Sequence, residues 1–209
     1  MADLFPCTGP ERIELPDAEL RFWPVCDLGV ASGRLFEELQ LGLAWREESI
    51  FLFGRSVLQP RLLAWYGDEG TRYRYSGVVH EPEPLTPRLD ELRGRLEVLC
   101  DARFNSVLAN LYRHERDSMG LHADDEPELG AEPVIASLSL GAERVFWLRH
   151  RHRRDIKPLR LSLPSGSLLV MSGTTQQFWK HEVPKQTRAC GPRINLTFRR
   201  IFNSAPDLR

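Results

Sequence analysis

His122-Ala123-Asp124 sets an imidazole and a carboxylate two positions apart. Side chains alternate along extended backbone, so this spacing turns both groups to one face, where they can share a metal ion. A third ligand is available in His181, remote along the chain. Two imidazoles and one carboxylate on one side of a metal leave its other positions open, a donor set suited to Fe(II) and oxygen chemistry. Taken alone, an H-x-D triplet also fits polar residues of a surface loop, and six histidines make a later partner easy to find.

A second set of donors lies near the C-terminus. In the run Pro192-Arg193-Ile194-Asn195-Leu196-Thr197-Phe198-Arg199-Arg200-Ile201, strand alternation puts Arg193, Asn195, Thr197 and Arg199 on one face and Ile194, Leu196 and Phe198 on the other. One reading is a half-buried strand whose polar face meets water. The other is a pocket for a dicarboxylate, since guanidinium forks pair with carboxylates in bidentate geometry and two of them can hold both ends of one small diacid. Asn110 and Tyr112 repeat the same-face spacing on an earlier segment.

Strands must position these residues. From residue 104 onward the chain divides into short alternating segments separated by Gly, Pro and polar clusters: 104–112, 134–140, 144–149, 158–163, 167–171, 178–183 and 193–201. Seven strands at that spacing indicate a sandwich, barrel or jelly roll. Two helices precede them. One runs from a Ser32 cap through Leu41, with Leu35, Phe36, Leu39 and Leu43 at helical spacing. The other is signalled by Thr86 as N-cap and Pro87 at the first helical position, followed by Leu89, Leu92, Leu96 and Leu99, and it should pack on a sheet. The fold class is therefore mainly β with flanking helices, an α+β chain.

The 209 residues suit one domain spanning 1–209. Hydrophobic residues at 42% and charged residues at 27% are ordinary for a soluble globular chain, and no apolar run is long enough to span a bilayer, so no membrane association is expected. Residues 1–10 lack the basic start and apolar core of a secretory signal, which makes the cytoplasm the expected location. Cys7, Cys26, Cys100 and Cys190 form no CxxC pair and read as reduced thiols rather than a disulfide framework or cysteine zinc site. A net charge of −1 gives no global attraction to phosphate, so nucleic-acid binding would depend on local clusters such as the Arg/His run from Arg149 to Arg154.

The ordered series Asn110-Leu111-Tyr112, His122-Ala123-Asp124-Asp125-Glu126, Pro133 to Gly141, His181 and Pro192 to Arg199 resembles the AlkB family of dioxygenases, and within it the branch that repairs alkylated DNA. Upstream, Pro60-Arg61, Trp65-Tyr66-Gly67-Asp68 and Tyr73-Arg74-Tyr75-Ser76-Gly77 are similar to the same branch. The resemblance covers roughly residues 50–201.

That resemblance implies a double-stranded β-helix, a jelly roll of the cupin-like kind, with a substrate-gripping N-terminal extension. Residues 1–49 would be the extension, 50–100 the nucleotide-recognition region with its packing helix, and 101–203 the catalytic core. His122, Asp124 and His181 would bind Fe(II). Arg193 and Arg199 would pair with the carboxylates of 2-oxoglutarate, assisted by Asn110, Tyr112 and Asn195, with O2 as the second co-substrate. The implied reaction couples decarboxylation of 2-oxoglutarate to hydroxylation of an N-alkyl carbon, after which the adduct releases an aldehyde and the unmodified base, as from N1-methyladenine or N3-methylcytosine in DNA.

A stacked base cannot reach such a pocket unless it is flipped out or single-stranded. Tyr75 would stack on the flipped base, Glu126 would meet its exocyclic amino group, and Phe53, in Ile50 to Arg55, would push into the duplex. Arg149, Arg151, Arg153, Arg154, Lys185 and Arg188 would meet backbone phosphates, making binding salt-sensitive. The implied enzyme acts as a monomer on DNA. The alternatives keep the fold with a modified RNA, protein or small-molecule substrate, or make the chain a non-catalytic nucleic-acid-binding module.

Overall fold

In a computed structural model, residues 9–52, 54–71, 73–75 and 78–202 are described, with backbone alone for residues 51, 52, 73–75 and 78–80. Fifteen strands occur among them: β1 (Glu11–Leu15), β2 (Ala18–Trp23), β3 (Arg46–Leu52), β4 (Arg55–Gly67), β5 (Tyr73–Tyr75), β6 (Val78–His80), β7 (Glu83–Pro84), β8 (Ser106–Tyr112), β9 (Met119–His122), β10 (Ile135–Gly141), β11 (Arg144–His150), β12 (Leu159–Leu163), β13 (Leu168–Ser172), β14 (Trp179–Val183) and β15 (Arg193–Arg199). Three helices accompany them: α1 (Ser32–Gly42), α2 (Pro87–Cys100) and the single turn α3 (Thr175–Phe178).

The strands form two principal sheets. The larger runs β1-β2-β13-β10-β15-β8-β4-β3, with β7 added beside β4, and the smaller runs β12-β11-β14-β9. Strand alternation assigns the faces. Ile194, Leu196 and Phe198 of β15, Val107, Ala109 and Leu111 of β8, and Leu138 and Leu140 of β10 turn to one side, where they pack with Leu35 and Leu39 of α1 and Leu89, Leu92 and Leu96 of α2. The opposite face packs on the small sheet, joining Tyr112, Ile135, Leu169 and Met171 to Phe146, Leu148, Leu163, Trp179 and Val183. Helices, large sheet and small sheet are thus three layers around two apolar seams, and the donor-bearing face of β8 and β15 lies inside the second seam.

Each of the seven strand segments expected after residue 104 is present. The Thr86 cap holds: its hydroxyl accepts from the Leu89 amide at 3.2 Å. In α1 the boundary residue is Ala31, which makes no side-chain cap hydrogen bond, and Ser32 is the first helical residue instead of the cap. Leu99 is only half-buried, and Cys100 takes the buried position at the end of α2, one further step around the helix. The first 31 residues carry no clear periodic pattern, yet β2 pairs with β13 and carries Leu20, Phe22 and Trp23 into the two seams.

Gly141 closes the step from one sheet to the other. Its φ of 85° lies in the left-handed region, and a Cβ there would stand 2.5 Å from the carbonyl oxygen of Pro192. Only glycine lets β10 end this close to the entry of β15.

Candidate metal and co-substrate site

Antiparallel pairing of β14 with β9 makes His181 and His122 direct cross-strand partners, 4.2 Å between ring centroids. Asp124 follows the end of β9. Its Oδ1 lies 3.9 Å from His122 Nε2 and its Oδ2 3.9 Å from His181 Nε2. One ligand atom from each of the three residues falls within 4.8 Å of the others.

The surroundings prepare each ligand. His122 Nδ1 sits 2.8 Å from the carbonyl of Gly120, which can be satisfied only by Nδ1–H and leaves the Nε2 lone pair free. His181 is buried against Phe146, and desolvation, reinforced by the nearby His122 and only partly opposed by Asp124, pulls its pKa down to about 3. It is therefore a neutral imidazole at neutral pH, the form a metal requires. Burial by itself would raise the carboxyl of Asp124, but the charge of Arg199 and its hydrogen bond outweigh it and hold Asp124 below the usual carboxylate range. Arg199 Nη2 donates to Asp124 Oδ1 at 2.9 Å, and the Asp124 amide donates to Gln176 Oε1 at 2.9 Å.

Behind the triad lies a small cavity lined by Asn110, Tyr112, Met119, Ser137, Phe146, Met171, Val183, Asn195, Thr197 and Arg199. The β15–β8 register places Asn195 opposite Asn110 and Arg193 opposite Tyr112. Arg193 is 1% exposed, with Nη2 donating to Ser139 Oγ at 2.9 Å while Nε and Nη1 meet no acceptor. Arg199 Nε is buried without an acceptor as well. Asn195 differs: its Nδ2 donates to Ser137 Oγ and to the Leu138 carbonyl, and its Oδ1 accepts from Thr197, so it orders the cavity wall without a spare donor. Asn110 Oδ1 accepts from Arg61 Nε at 2.8 Å, which fixes the amide with its Nδ2 as the free end.

These features fit an iron and a dicarboxylate. The donor set is two imidazoles and one ionised carboxylate, with hard and borderline character suited to Fe(II). The buried guanidinium N–H groups without acceptors need oxygen partners, because an unsatisfied buried donor costs about 1–3 kcal/mol.

On the outer side the triad opens into a cleft of about 440 Å³, lined by Ile50, Leu63, Trp65, Leu108, Leu121, Leu129 and Ile201, with Glu48, Gln59, Arg61 and Glu126 among the polar residues. Glu126, half-buried, stands immediately before a 3₁₀ turn at Pro127–Leu129 and lines this cleft. Tyr75 belongs to β5, for which the backbone alone is described, and Phe53 lies outside the described residues.

The six basic residues expected to meet phosphate are all exposed, but three are already ion-paired. Arg149 pairs with Glu182 at 3.0 Å and stacks on Trp147. Arg151 pairs with Asp125 at 2.6 Å and Arg153 with Asp155 at 2.7 Å. Sequence reasoning missed Gln176 and Arg61, which order Asp124 and Asn110 from outside the cavity wall. Arg61 stands in the Pro60-Arg61 pair that carries part of the resemblance yet has no role in the sequence reading, and Gln176 has no local signal, since each acts through a partner brought in by tertiary pairing.

A two-sheet scaffold holding His, Asp and His at its mouth, with buried guanidinium groups behind, defines a metal-dependent oxygenase of the jelly-roll type. The profile of the 2OG-Fe(II) oxygenase superfamily matches residues 31–199, and the chain belongs to that superfamily, in its AlkB family. The bovine alpha-ketoglutarate-dependent dioxygenase alkB homolog 3 is 41% identical over a 183-residue alignment that covers 84% of this chain and 62% of the bovine protein. The mouse DNA oxidative demethylase ALKBH2 is 38% identical over 191 residues, 85% of this chain and 80% of that protein. The chain thus spans less than two thirds of the length of the alkB homolog 3 relative. Among solved structures, OsALKBH1 superposes with a TM-score of 0.61 at 14% identity, covering 92% of this chain and 100% of the other, a likeness of fold. Iron(II) is the metal of this family, and 2-oxoglutarate and O2 are its co-substrates. No helix among the described residues is long and apolar enough to cross a membrane.

Proposed function

We propose that this chain removes N-alkyl groups oxidatively from bases in DNA, as a repair dioxygenase. The observation that carries the reading is that the His122, Asp124 and His181 cluster stands where two cavities meet. The inner one sets Asn110, Tyr112 and Arg199 beside Phe146, Met171 and Val183, the outer one is lined largely by aliphatic side chains with Trp65, and both are bordered by Met119, His122, Asp124 and Arg199. A co-substrate held inside and a base held outside would then approach one metal from different sides. Relatives named alkB homolog 3 and DNA oxidative demethylase ALKBH2 support the choice of alkylated DNA.

Bound at the triad, Fe(II) with 2-oxoglutarate and O2 supplies the oxidation that hydroxylates the N-alkyl carbon. The protein contributes position and exclusion of water. Arg193, buried against Tyr112 and not itself among the lining residues, would offer its unsatisfied Nε and Nη1 to one carboxylate, while Asn110 directs its free amide nitrogen into the inner cavity. Arg199 offers Nε beside the metal and keeps Asp124 ionised. Asn195 holds the wall between them. Glu126, which lines the outer cleft, would accept from an exocyclic amino group, and Tyr75 and Phe53 are the aromatics that the family resemblance assigns to stacking and to opening the duplex. Arg154, Lys185 and Arg188 are assigned to backbone phosphates together with Arg149, Arg151 and Arg153, the last three exchanging their internal carboxylates for phosphate.

The test is protein loaded anaerobically with Fe(II), given 2-oxoglutarate and then O2, with an oligonucleotide carrying N1-methyladenine or N3-methylcytosine and scored by mass spectrometry. Loss of the methyl group that requires both iron and 2-oxoglutarate establishes the reading. Succinate without demethylation keeps the oxygenase and moves the substrate elsewhere, to RNA or to another molecule.

A further inference from the structure

Two guanidinium groups approach the ring of Tyr112. The guanidinium carbon of Arg193 is 5.2 Å from the centre of the Tyr112 ring, and that of Arg144 is 5.5 Å from the same centre. Arg144 is itself 1% exposed. Its Nη2 donates to the carbonyls of Asp117 at 2.8 Å and Pro184 at 2.7 Å, and its Nη1 to that of His114 at 3.3 Å, while Nε meets no acceptor. Among the described residues neither Arg144 nor Arg193 is paired with a carboxylate.

Two buried like charges beside one ring repel, and burying a cation without a counter-charge is expensive. Carbonyl dipoles and the face of an aromatic ring offset part of that cost. The rest calls for an anion near Tyr112, which borders the inner cavity. Arg144 does not border that cavity, so it acts through the ring and through its field. It also ties the loop entering β9 to the residue following β14, the two strands that carry His122 and His181.

On the reading that 2-oxoglutarate occupies the inner cavity, we infer that Arg144 is a positioning residue for the carboxylate held at Tyr112 and Arg193, forming with Arg193 a pair of cations that selects a dicarboxylate over a 2-oxo monoacid. Replacing it would weaken attraction to that carboxylate and loosen Tyr112. The 2-oxo acid end would feel the change only through the ties beside β9 and β14, and less than the far carboxylate.

The experiment is anaerobic calorimetry on Mn(II)-loaded protein, in which nothing turns over, with 2-oxoglutarate and with 2-oxobutyrate, which lacks the far carboxylate. For Arg144→Met the expected result is a fall of about tenfold in the preference for 2-oxoglutarate over 2-oxobutyrate, and for Arg144→Lys a smaller fall in that preference. Thermal unfolding of the Mn(II) forms reports the fold separately, and the lysine variant preserves the test if the methionine variant unfolds. Unchanged selectivity in both variants, or equal weakening towards both acids, overturns the inference. A wild-type protein that binds 2-oxoglutarate no better than 2-oxobutyrate overturns instead the placement of a dicarboxylate in this cavity, and the inference with it.

Discussion

Arg199 and Asp124 are joined by a 2.9 Å hydrogen bond across 75 positions of sequence, so the carboxylate that serves the metal is held by an arginine of the innermost strand face. This bond aims Oδ1, lowers the proton affinity of Asp124 and leaves Oδ2 facing His181. Replacing Arg199 with Gln removes the charge and keeps a donor. Metal affinity should fall about 10-fold to 100-fold, the range found when partners of metal ligands are lost. Titration of the apo protein with Mn(II) or Fe(II) measures it, and an unchanged affinity would show that Asp124 is oriented by other contacts.

The three ligands should not respond alike to alanine. His122 is partly exposed and makes a single hydrogen bond to the Gly120 carbonyl, so His122→Ala should fold normally and lose the metal and turnover. Asp124→Ala leaves the guanidinium of Arg199 buried opposite no carboxylate, a loss of about 3–5 kcal/mol by analogy with broken buried pairs. Its melting temperature should drop well below that of His122→Ala. Equal melting temperatures would mean that the Arg199–Asp124 pair adds little to stability and serves the metal alone.

The alternation in 192–201 was enough to separate the apolar face of β15 from its donor face, because period two is a local property of a strand. The same holds for Asn110 and Tyr112 on β8 and for the Thr86-Pro87 start of α2. What the linear pattern could not contain is register. That His181 falls opposite His122, and Asn195 opposite Asn110, depends on strands about 60 and 85 positions apart being brought into pairing. Gln176 illustrates the limit. It lies in a four-residue helix with no apolar periodicity, yet it is 1% exposed and accepts the amide of Asp124. Gln176→Leu should leave that amide buried and unsatisfied, cost about 1–3 kcal/mol and weaken metal binding. A variant as stable as wild type with full metal affinity would remove Gln176 from the site's supports.

Gly141 tests the step between the sheets. Gly141→Ala would press a methyl group to 2.5 Å from the Pro192 carbonyl and 2.7 Å from the ring of Phe36 in α1, at a φ that L-residues seldom adopt. The backbone must shift at the start of β15, beside Arg193. The expected outcome is a protein destabilised by more than about 1 kcal/mol. A chemical denaturation midpoint equal to wild type would mean that the turn relaxes without strain.

Acid sensitivity should trace partly to Asp117. Its side chain is buried and accepts from the Arg113 amide at 2.9 Å, from Arg113 Nε at 2.8 Å and from Arg113 Nη2 at 3.1 Å. Burial works to raise its pKa, but these bonds and the Arg113 charge outweigh it, and the net shift is downward. A carboxyl whose folded pKa lies below its unfolded value of about 3.9 binds fewer protons folded than unfolded. It therefore contributes stability that is fully present above the unfolded pKa and is lost as pH falls through the folded one. Asp117→Asn should be less stable than wild type by about 2 kcal/mol at neutral pH. That difference should shrink as the pH is lowered below about 4, where the unfolded chain takes up a proton at Asp117 that the folded carboxylate accepts only at lower pH. Urea unfolding of both proteins across that range decides it. A gap that stays constant down to strong acid would mean that hydrogen-bond geometry, and not the charge of Asp117, holds the loop that leads into β9.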